Sequence, residues 1–283
     1  MTGVQTCALP ICADRVQAQA DRDAEWRALD ADFAFVAECN EGGEFMAPER
    51  IERLGQIARR TWQRTLDDRT GISWEEKARK QRIPARALPA TEPLLADRPE
   101  DLIPRAENER MSPDNPWGFK LDVPEHKYNR GELHNLSVAR GTLTAEERYA
   151  INDHIVQTIM MLSKLPFPKG LRKVPEFAGG HHEKLDGTGY PKRLTVDEMS
   201  LPARMMAIAD IFEALTAGDR PYKKPKKLSE AVKIMGFMRK DRHIDSELFE
   251  LFLTSGVYRA YAERFLAPGQ IDEVDIAPYV AAG

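Results

Sequence analysis

Eight prolines lie between Pro84 and Pro124, and they constrain the fold of this chain more than any other feature. Proline lacks a backbone N–H and disfavours helical geometry in the residue before it, so a continuous helix through this span is excluded. An extended connection along the protein surface is predicted instead, over residues 84–130. The sequence on either side has helical periodicity, so we expect an all-α protein whose two helical parts flank a Pro-rich connection.

The segment before the prolines, residues 13–83, is predicted to form a helical hairpin. Two apolar stripes with helical spacing run through it: Trp26, Leu29, Phe33 and Val36 in the first, and Ile51, Leu54, Ala58, Trp62 and Thr65 in the second. Gly42 and Gly43 separate the stripes, and Pro48 suits the first turn of the second helix. Within the connection, the apolar stretch Trp117 to Phe119 is expected to dock on a neighbouring element.

Residues 1–12 are set apart from the fold prediction. Ala8 to Ile11 reads Ala-Leu-Pro-Ile, which matches the translation of a common sequencing-adapter tail, and no apolar period links the segment to the helix that follows. We therefore expect an adapter-derived start and a natural N-terminal part missing before Ala13. A disordered natural terminus is the alternative.

The composition narrows the class of protein. Apolar residues make up 42% and charged residues 30% of the 283 residues, as in soluble globular proteins. The net charge of -4 argues against a nucleic-acid polymer bound on a basic surface. No apolar run approaches the about 20 residues that a membrane span needs. The three cysteines have no metal-site spacing and cannot all pair in disulfides, which favours a reducing cytoplasm.

The first helix after the connection is predicted to carry a candidate metal ligand. Thr144 and Glu147 have capping-box spacing, and the helix they open is expected to reach about Lys164. Its predicted buried stripe is Ile151, Ile155, Ile159 and Leu162. His154 lies beside this stripe, where a partly buried imidazole needs a partner, which a metal ion could provide.

Two adjacent histidines, His181 and His182, lie near the end of the next predicted helix, Glu176 to about Lys184. Neighbouring residues on a helix point about 100° apart, so one site receives both rings only if it is broad. A broad site implies two or more metal ions side by side, or one ion and a supporting histidine. An exposed histidine pair at a frayed helix end is the alternative.

A single carboxylate, Asp210, lies in the middle of the nearly all-apolar run 203–217. Burying an ionised carboxylate costs on the order of several kcal/mol unless the group is paired or bound to a metal. Asp210 is therefore a further candidate metal ligand. Pairing with Arg204 or Arg220 is the alternative. Arg220 and Lys223 follow this helix and suit phosphate groups, although they could also belong to a solvated basic patch.

The stretch from His181 to Pro191 resembles the signature of the HD-GYP domain, a branch of the HD superfamily of metal-dependent phosphohydrolases. The residues that match the motif are His181, His182, Glu183, Asp186, Gly187, Gly189, Tyr190 and Pro191. Three further segments match in the same order: 141–154 with its helix-borne histidine, 209–216 around Asp210, and 220–223. The resemblance extends over about 131–266, so residues 131–268 are predicted as this domain and 269–283 as a tail.

The resemblance implies an all-α HD-superfamily bundle and a chemistry. His154, His181, His182 and Asp210 would bind two or three divalent metal ions, most often iron or manganese. Arg220 and Lys223 would contact the phosphates of cyclic di-GMP, which the family hydrolyses to the linear dinucleotide pGpG or to GMP. The nucleophile would be a hydroxide held by the metal ions, so no side chain is assigned as catalytic. Diguanylate-cyclase domains are the expected protein partners.

One departure from the family pattern affects the expected activity. The family's His-Asp pair, which supplies bridging ligands, does not occur anywhere in the 283 residues. We therefore expect weak or absent catalysis by this chain. Two other interpretations stay open: a catalytically silent module that binds cyclic di-GMP or a protein, and an HD-superfamily hydrolase of another nucleotide.

Overall fold

The computed structural model describes residues 8–112, 114–218 and 225–280. The chain divides into two compact units, Met1–Arg105 with His126–Glu146, and Ala106–Glu125 with Glu147–Gly283. Helices dominate the described residues, which confirms the predicted all-α class. None of the helices in these ranges is both long and apolar enough to cross a membrane.

The first unit combines helices with two small sheets that the sequence did not predict. Its elements are α1 (Ala8–Glu41), α2 (Pro48–Ala58), β1 (Thr61–Arg64), α3 (Trp74–Lys80), β2 (Ala90–Pro93), β3 (Leu102–Pro104), β4 (His126–Asn129) and α4 (Glu132–Leu136). β1 pairs with β2 in antiparallel register, with Thr61 opposite Pro93. β3 pairs with β4 in the same sense, with Leu102 opposite Asn129. Three of these strands, β2, β3 and β4, lie within the Pro-rich connection, and its described residues contain no α-helix, in agreement with the exclusion of a continuous helix.

The core of this unit forms at the end of α1, and the predicted first stripe is largely wrong. Phe35 and Cys39 of α1 pack against Leu54 and Ile57 of α2. Trp26 and Phe33, predicted to pack, are 59% and 77% exposed. The cause is a mismatch in length, because the 34 residues of α1 span about 51 Å and the 11 residues of α2 about 17 Å. Only the last turns of α1 therefore face α2.

The second predicted helix is wrong beyond Ala58, since Trp62 lies on strand β1. Pairing with β2 brings Arg64 next to the buried Glu92, whose Oε1 accepts hydrogen bonds from Nε and Nη2 of Arg64 at 3.2 and 2.9 Å. A buried charge needs such a partner, and the strand pairing provides it. This tertiary contact outweighs the apolar period that predicted a longer helix.

The second unit carries α5 (Ala145–Leu162) from its third residue onward and then α6 (Val174–Gly179), α7 (Leu201–Thr216), α8 (Leu228–Lys240), α9 (Ser246–Thr254) and α10 (Val257–Phe265). Asp245 caps α9 by accepting hydrogen bonds from the backbone N–H groups of Glu247 and Leu248. The main core joins α7 to α10 through residues that are almost completely buried: Ile208, Phe212, Leu228, Ala231, Val232, Met235, Ile244, Phe249, Leu253, Tyr258 and Ala262.

A second core cluster supports α5. Phe119 is buried against Ile155 and Ile159, which confirms that the stretch Trp117 to Phe119 docks on a helix. Ile151 was predicted in the same stripe, but it is 52% exposed. Tyr149 and Val156 are also buried on α5, at 8% and 2% exposed. The buried face therefore includes the turn before Ile151 but is rotated around the helix away from that residue.

Candidate metal centre

Helix α6 ends at Gly179, before the two histidines, so the prediction of a helix to about Lys184 is wrong. Two glycines in succession weaken the helix. They also permit close packing, because a Cβ at Gly179 would collide with Ile159 and one at Gly180 would lie 2.8 Å from the Cβ of Ala203. The end of α6 thus lies tightly between α5 and α7. The histidines that follow are placed where these three helices meet.

The three predicted histidines form one cluster. The Nε2 atoms of His154 and His182 are 3.3 Å apart, and the ring centroids of His181 and His182 are 4.1 Å apart. One ligand atom from each of the three residues lies within 4.8 Å of the others. The predicted divergence of about 100° between His181 and His182 is wrong, because neither residue is helical.

Backbone carbonyls orient two of these rings. Nδ1 of His154 lies 2.6 Å from the carbonyl oxygen of Ile151, and Nδ1 of His181 lies 2.7 Å from that of Ala178. With its proton on Nδ1, each ring donates to the carbonyl and keeps the Nε2 lone pair available. A metal-binding histidine commonly has this arrangement. The donor set therefore fits a transition-metal ion.

Asp210 lies at the edge of the cluster on α7, with Oδ2 4.0 Å from Nδ1 of His182. The predicted burial of Asp210 is wrong, because its side chain is 45% exposed. Met206, which lies one turn before Asp210 on the same face of α7, is also exposed, at 40%. The alternative pairing with Arg204 is wrong as well, since Arg204 binds Asp245 at 2.6 Å.

Burial controls the protonation of His182 and Tyr190. Desolvation, together with the neighbouring imidazole of His181, lowers the pKa of His182 to about 4, against the opposing effect of Asp210. His182 is therefore neutral at pH 7, as a metal ligand must be. The ring of Tyr190 stacks on His182 with centroids 4.8 Å apart. Burial and then Asp210 raise the pKa of Tyr190 to about 12, so its phenol stays protonated and can donate a hydrogen bond.

The remaining motif residues organise the loop that follows the histidines. The carboxylate of Glu183, which is 1% exposed, accepts hydrogen bonds from the N–H groups of Lys192 at 2.6 Å and Leu194 at 2.9 Å. At Gly189 a Cβ would collide with the backbone of Glu183 and Lys184. These contacts connect the two ends of the His181–Pro191 motif.

A tight turn lies within the same loop. Oδ1 of Asp186 accepts hydrogen bonds from N and Oγ1 of Thr188, at 2.9 and 2.7 Å. Gly187 has a positive φ of 79°, which glycine adopts without strain. The Tyr190-Pro191 peptide bond is cis. Glu183, Asp186, Gly187 and Gly189 thus shape the loop, whereas the histidines offer atoms that could hold a metal ion.

One contact of the motif loop was not predicted from the sequence, namely its hydrogen bond to the segment around Trp117. The backbone N–H of Lys120 donates to the carbonyl of Pro191 at 2.7 Å, so the segment around Trp117 is connected to the motif loop. The apolar residues of that segment predicted that it docks, but they did not indicate on which element.

Arg220 and Lys223, the predicted phosphate contacts, lie outside the described residues.

Comparison with known proteins gives matches that include this site. Residues 89–248, more than half of the chain, match the HD domain family. A 3′3′-cGAMP-specific phosphodiesterase of Vibrio cholerae is 32% identical over 145 residues, which cover 48% of this chain and 33% of that protein. A cyclic di-GMP phosphodiesterase of Pseudomonas aeruginosa is 40% identical over 95 residues, or 33% of this chain and 22% of that protein.

A cyclic di-GMP phosphodiesterase of Thermotoga maritima is 40% identical over 91 residues, or 32% of this chain and 24% of that protein. The chain thus spans about a third of the length of the Vibrio cholerae protein and about a quarter of the length of the Thermotoga maritima protein. The match to the HD domain, the names of the relatives and the motif from His181 to Pro191 all point to the same family. The chain belongs to the HD domain family, and its motif from His181 to Pro191 is consistent with the HD-GYP branch of that family.

Proposed function

We propose that this protein is a metal-dependent phosphodiesterase that hydrolyses a cyclic dinucleotide, with cyclic di-GMP as the first candidate. The observation that carries the proposal is the histidine cluster, in which His154, His181 and His182 bring their ligand atoms within 4.8 Å of one another. The names of the relatives support the substrate class, since they describe phosphodiesterases of cyclic di-GMP or of 3′3′-cGAMP.

His154, His181 and His182 would hold the metal, with Asp210 as a fourth ligand from α7. Imidazole and carboxylate together suit iron and manganese, and we propose two or three such ions. When bound, the ions would supply an activated water and neutralise the negative charge that develops on the phosphate. The carbonyls of Ile151 and Ala178 orient the rings of His154 and His181 for this task.

The substrate contacts would come from side chains around the cluster. The protonated phenol of Tyr190, which stacks on His182, can donate a hydrogen bond to a phosphate oxygen. Arg220 and Lys223 would bind the phosphates as cations, as their motif implies. Cleavage would give the linear dinucleotide, pGpG in the case of cyclic di-GMP, or continue to GMP.

The ligand set also supports a proposal about rate. Three histidines and one aspartate offer few ligands for two or three ions that each prefer about six. The sequence contains no His-Asp pair that could add bridging ligands. We therefore expect this chain to turn over cyclic dinucleotides slowly. The predicted binding of diguanylate-cyclase domains stays a prediction.

A hydrolysis assay tests the proposal. The chain is loaded with Mn²⁺ or Fe²⁺ and incubated with cyclic di-GMP or 3′3′-cGAMP, and linear products are measured by chromatography. We expect slow product formation that the chelator EDTA and the substitution His154→Ala both abolish. Hydrolysis of other phosphodiesters but of neither cyclic dinucleotide would overturn the substrate assignment. Tight binding of a cyclic dinucleotide without any turnover would favour a silent binding module.

A further inference from the structure

A cavity of about 550 Å³ lies in the second unit next to the candidate metal centre. Its volume falls within the range of about 300–1,000 Å³ that is typical of small-molecule sites. The last turn of α5, the segment that joins α5 to α6, helix α6 itself and the segments around Trp117 and Lys192 form its walls. Gly180 also lines the cavity and immediately precedes His181. The cavity and the histidine cluster therefore share the end of α6.

An aromatic wall closes one side of this cavity. Trp117 lines it and lies nearly parallel to Phe119, with an interplanar angle of 13° and centroids 6.3 Å apart. Phe119 is only 5% exposed, and its N–H donates to Oδ1 of Asn115 at 2.9 Å. The backbone N–H of the next residue, Lys120, donates a hydrogen bond to the carbonyl oxygen of Pro191 in the motif loop. Trp117 is thus held on a well-supported segment, and an indole is a suitable platform for a planar heterocycle.

Three charged residues line the cavity together with the apolar ones. Arg172, Glu176 and Lys192 line it together, and within the described part of the chain Arg172 and Glu176 form no ion pair. A carboxylate accepts hydrogen bonds from the ring N–H and the amino group of guanine. Arginine or lysine donates to O6 and N7 of the same base. Adenine presents an amino donor in place of O6 and has no ring N–H on that edge, so this charge pattern is complementary to guanine.

We propose that this cavity binds the guanine base of the cyclic dinucleotide substrate. Guanine would stack on Trp117, with Glu176 on its Watson–Crick edge and Arg172 or Lys192 on its O6 side. The assignment of the ligand as a substrate rests on the proposed function, whereas binding of the base needs neither metal nor hydrolysis. Cyclic di-GMP and 3′3′-cGAMP both contain guanine, so the same cavity could serve either.

Calorimetric titration of the EDTA-treated chain with GMP and with AMP tests this proposal. We expect GMP to bind about tenfold more tightly than AMP, and Glu176→Gln to remove that preference. Trp117→Ala should weaken the binding of both nucleotides by about tenfold, because it removes the stacking surface. Trp117→Phe keeps an aromatic ring, so its affinity for the nucleotides should lie between that of the unmodified chain and that of Trp117→Ala. Glu263→Gln changes an exposed acid on α10 and serves as the matched control.

Equal affinity for GMP and AMP in the unmodified chain would overturn the proposal, and so would unchanged GMP binding by Glu176→Gln. Glu176 is exposed, so its substitution leaves the core intact and the result does not depend on the stability of the Trp117 variants. The titration contains no metal, so it measures base binding alone, and a lack of hydrolysis in the separate Mn²⁺-loaded assay would contradict the proposed function without affecting the base site. Guanine-selective binding, conversely, would support the base site without establishing hydrolysis.

Discussion

At the scale of single residues, His182 is central to the candidate metal centre. Its ring contacts those of His154, His181 and Tyr190, and Asp210 lies 4.0 Å away. These neighbours explain both of its properties. Burial and nearby imidazoles keep it neutral, and a neutral imidazole can coordinate a metal ion. The sequence identified His182 as a candidate, but only the tertiary fold brings His154 to it.

The lowered pKa of His182 predicts a pH dependence of stability. An unfolded histidine takes up a proton near pH 6.5, whereas folded His182 does so only near its pKa of about 4. The unfolded state therefore binds more protons in this window, and the free energy of unfolding falls as the pH drops from about 6.5 towards 4. In urea titrations with EDTA, His182→Asn should lose about 2 kcal/mol less than the unmodified chain between pH 7 and pH 5. Parallel pH profiles for the two proteins would contradict this account.

Glu183 gives a second prediction at this scale. Its buried carboxylate satisfies the N–H groups of Lys192 and Leu194, and Glu183→Ala leaves both without an acceptor. We expect a loss of about 2–4 kcal/mol in the free energy of unfolding, measured by chemical denaturation. Glu263→Ala, at an exposed position, should stay within about 0.5 kcal/mol of the unmodified chain. A loss equally small for Glu183→Ala would show that the loop does not depend on this carboxylate.

At the scale of elements, the apolar period predicted the existence of helices better than their ends. α7 was predicted near its observed position, because its apolar run and Ser200-Pro202 start are local signals. The end of α6 was not predictable in this way. It depends on Gly179 and Gly180 fitting against Ile159 and Ala203, which are distant in sequence. The same applies to β1, since its pairing with β2 lies beyond any local pattern.

The motif loop offers a test at this scale. Gly189→Ala places a Cβ against the backbone of Glu183 and Lys184, which cannot move aside without reshaping the loop. We expect Gly189→Ala to reduce metal binding while the far-UV circular dichroism of the helices stays unchanged. Gly170→Ala is the control, because a Cβ there meets no atom within 4 Å. Normal metal binding by Gly189→Ala would mean that the loop does not position the histidines.

At the scale of the whole molecule, the sequence predicted the all-α class and the three histidines that form the cluster, but not which surfaces are covered. Asp210 was expected to be buried because its helix is nearly all apolar, yet its side chain is 45% exposed. Ile151 and Met205 are likewise exposed, each at 52%. An apolar pattern indicates which face of a helix is suited to burial, but it does not specify which element, if any, packs on that face.

The central claim is that His154, His181 and His182 form a metal-binding cluster. The most direct test is the metal content of the chain after loading with Mn²⁺ and removal of free ions, measured by mass spectrometry. We predict bound metal in the unmodified chain and in His126→Ala, a matched histidine substitution on β4, and a marked loss in His182→Ala. Equal metal content in His182→Ala and the unmodified chain would contradict the assignment of the metal centre.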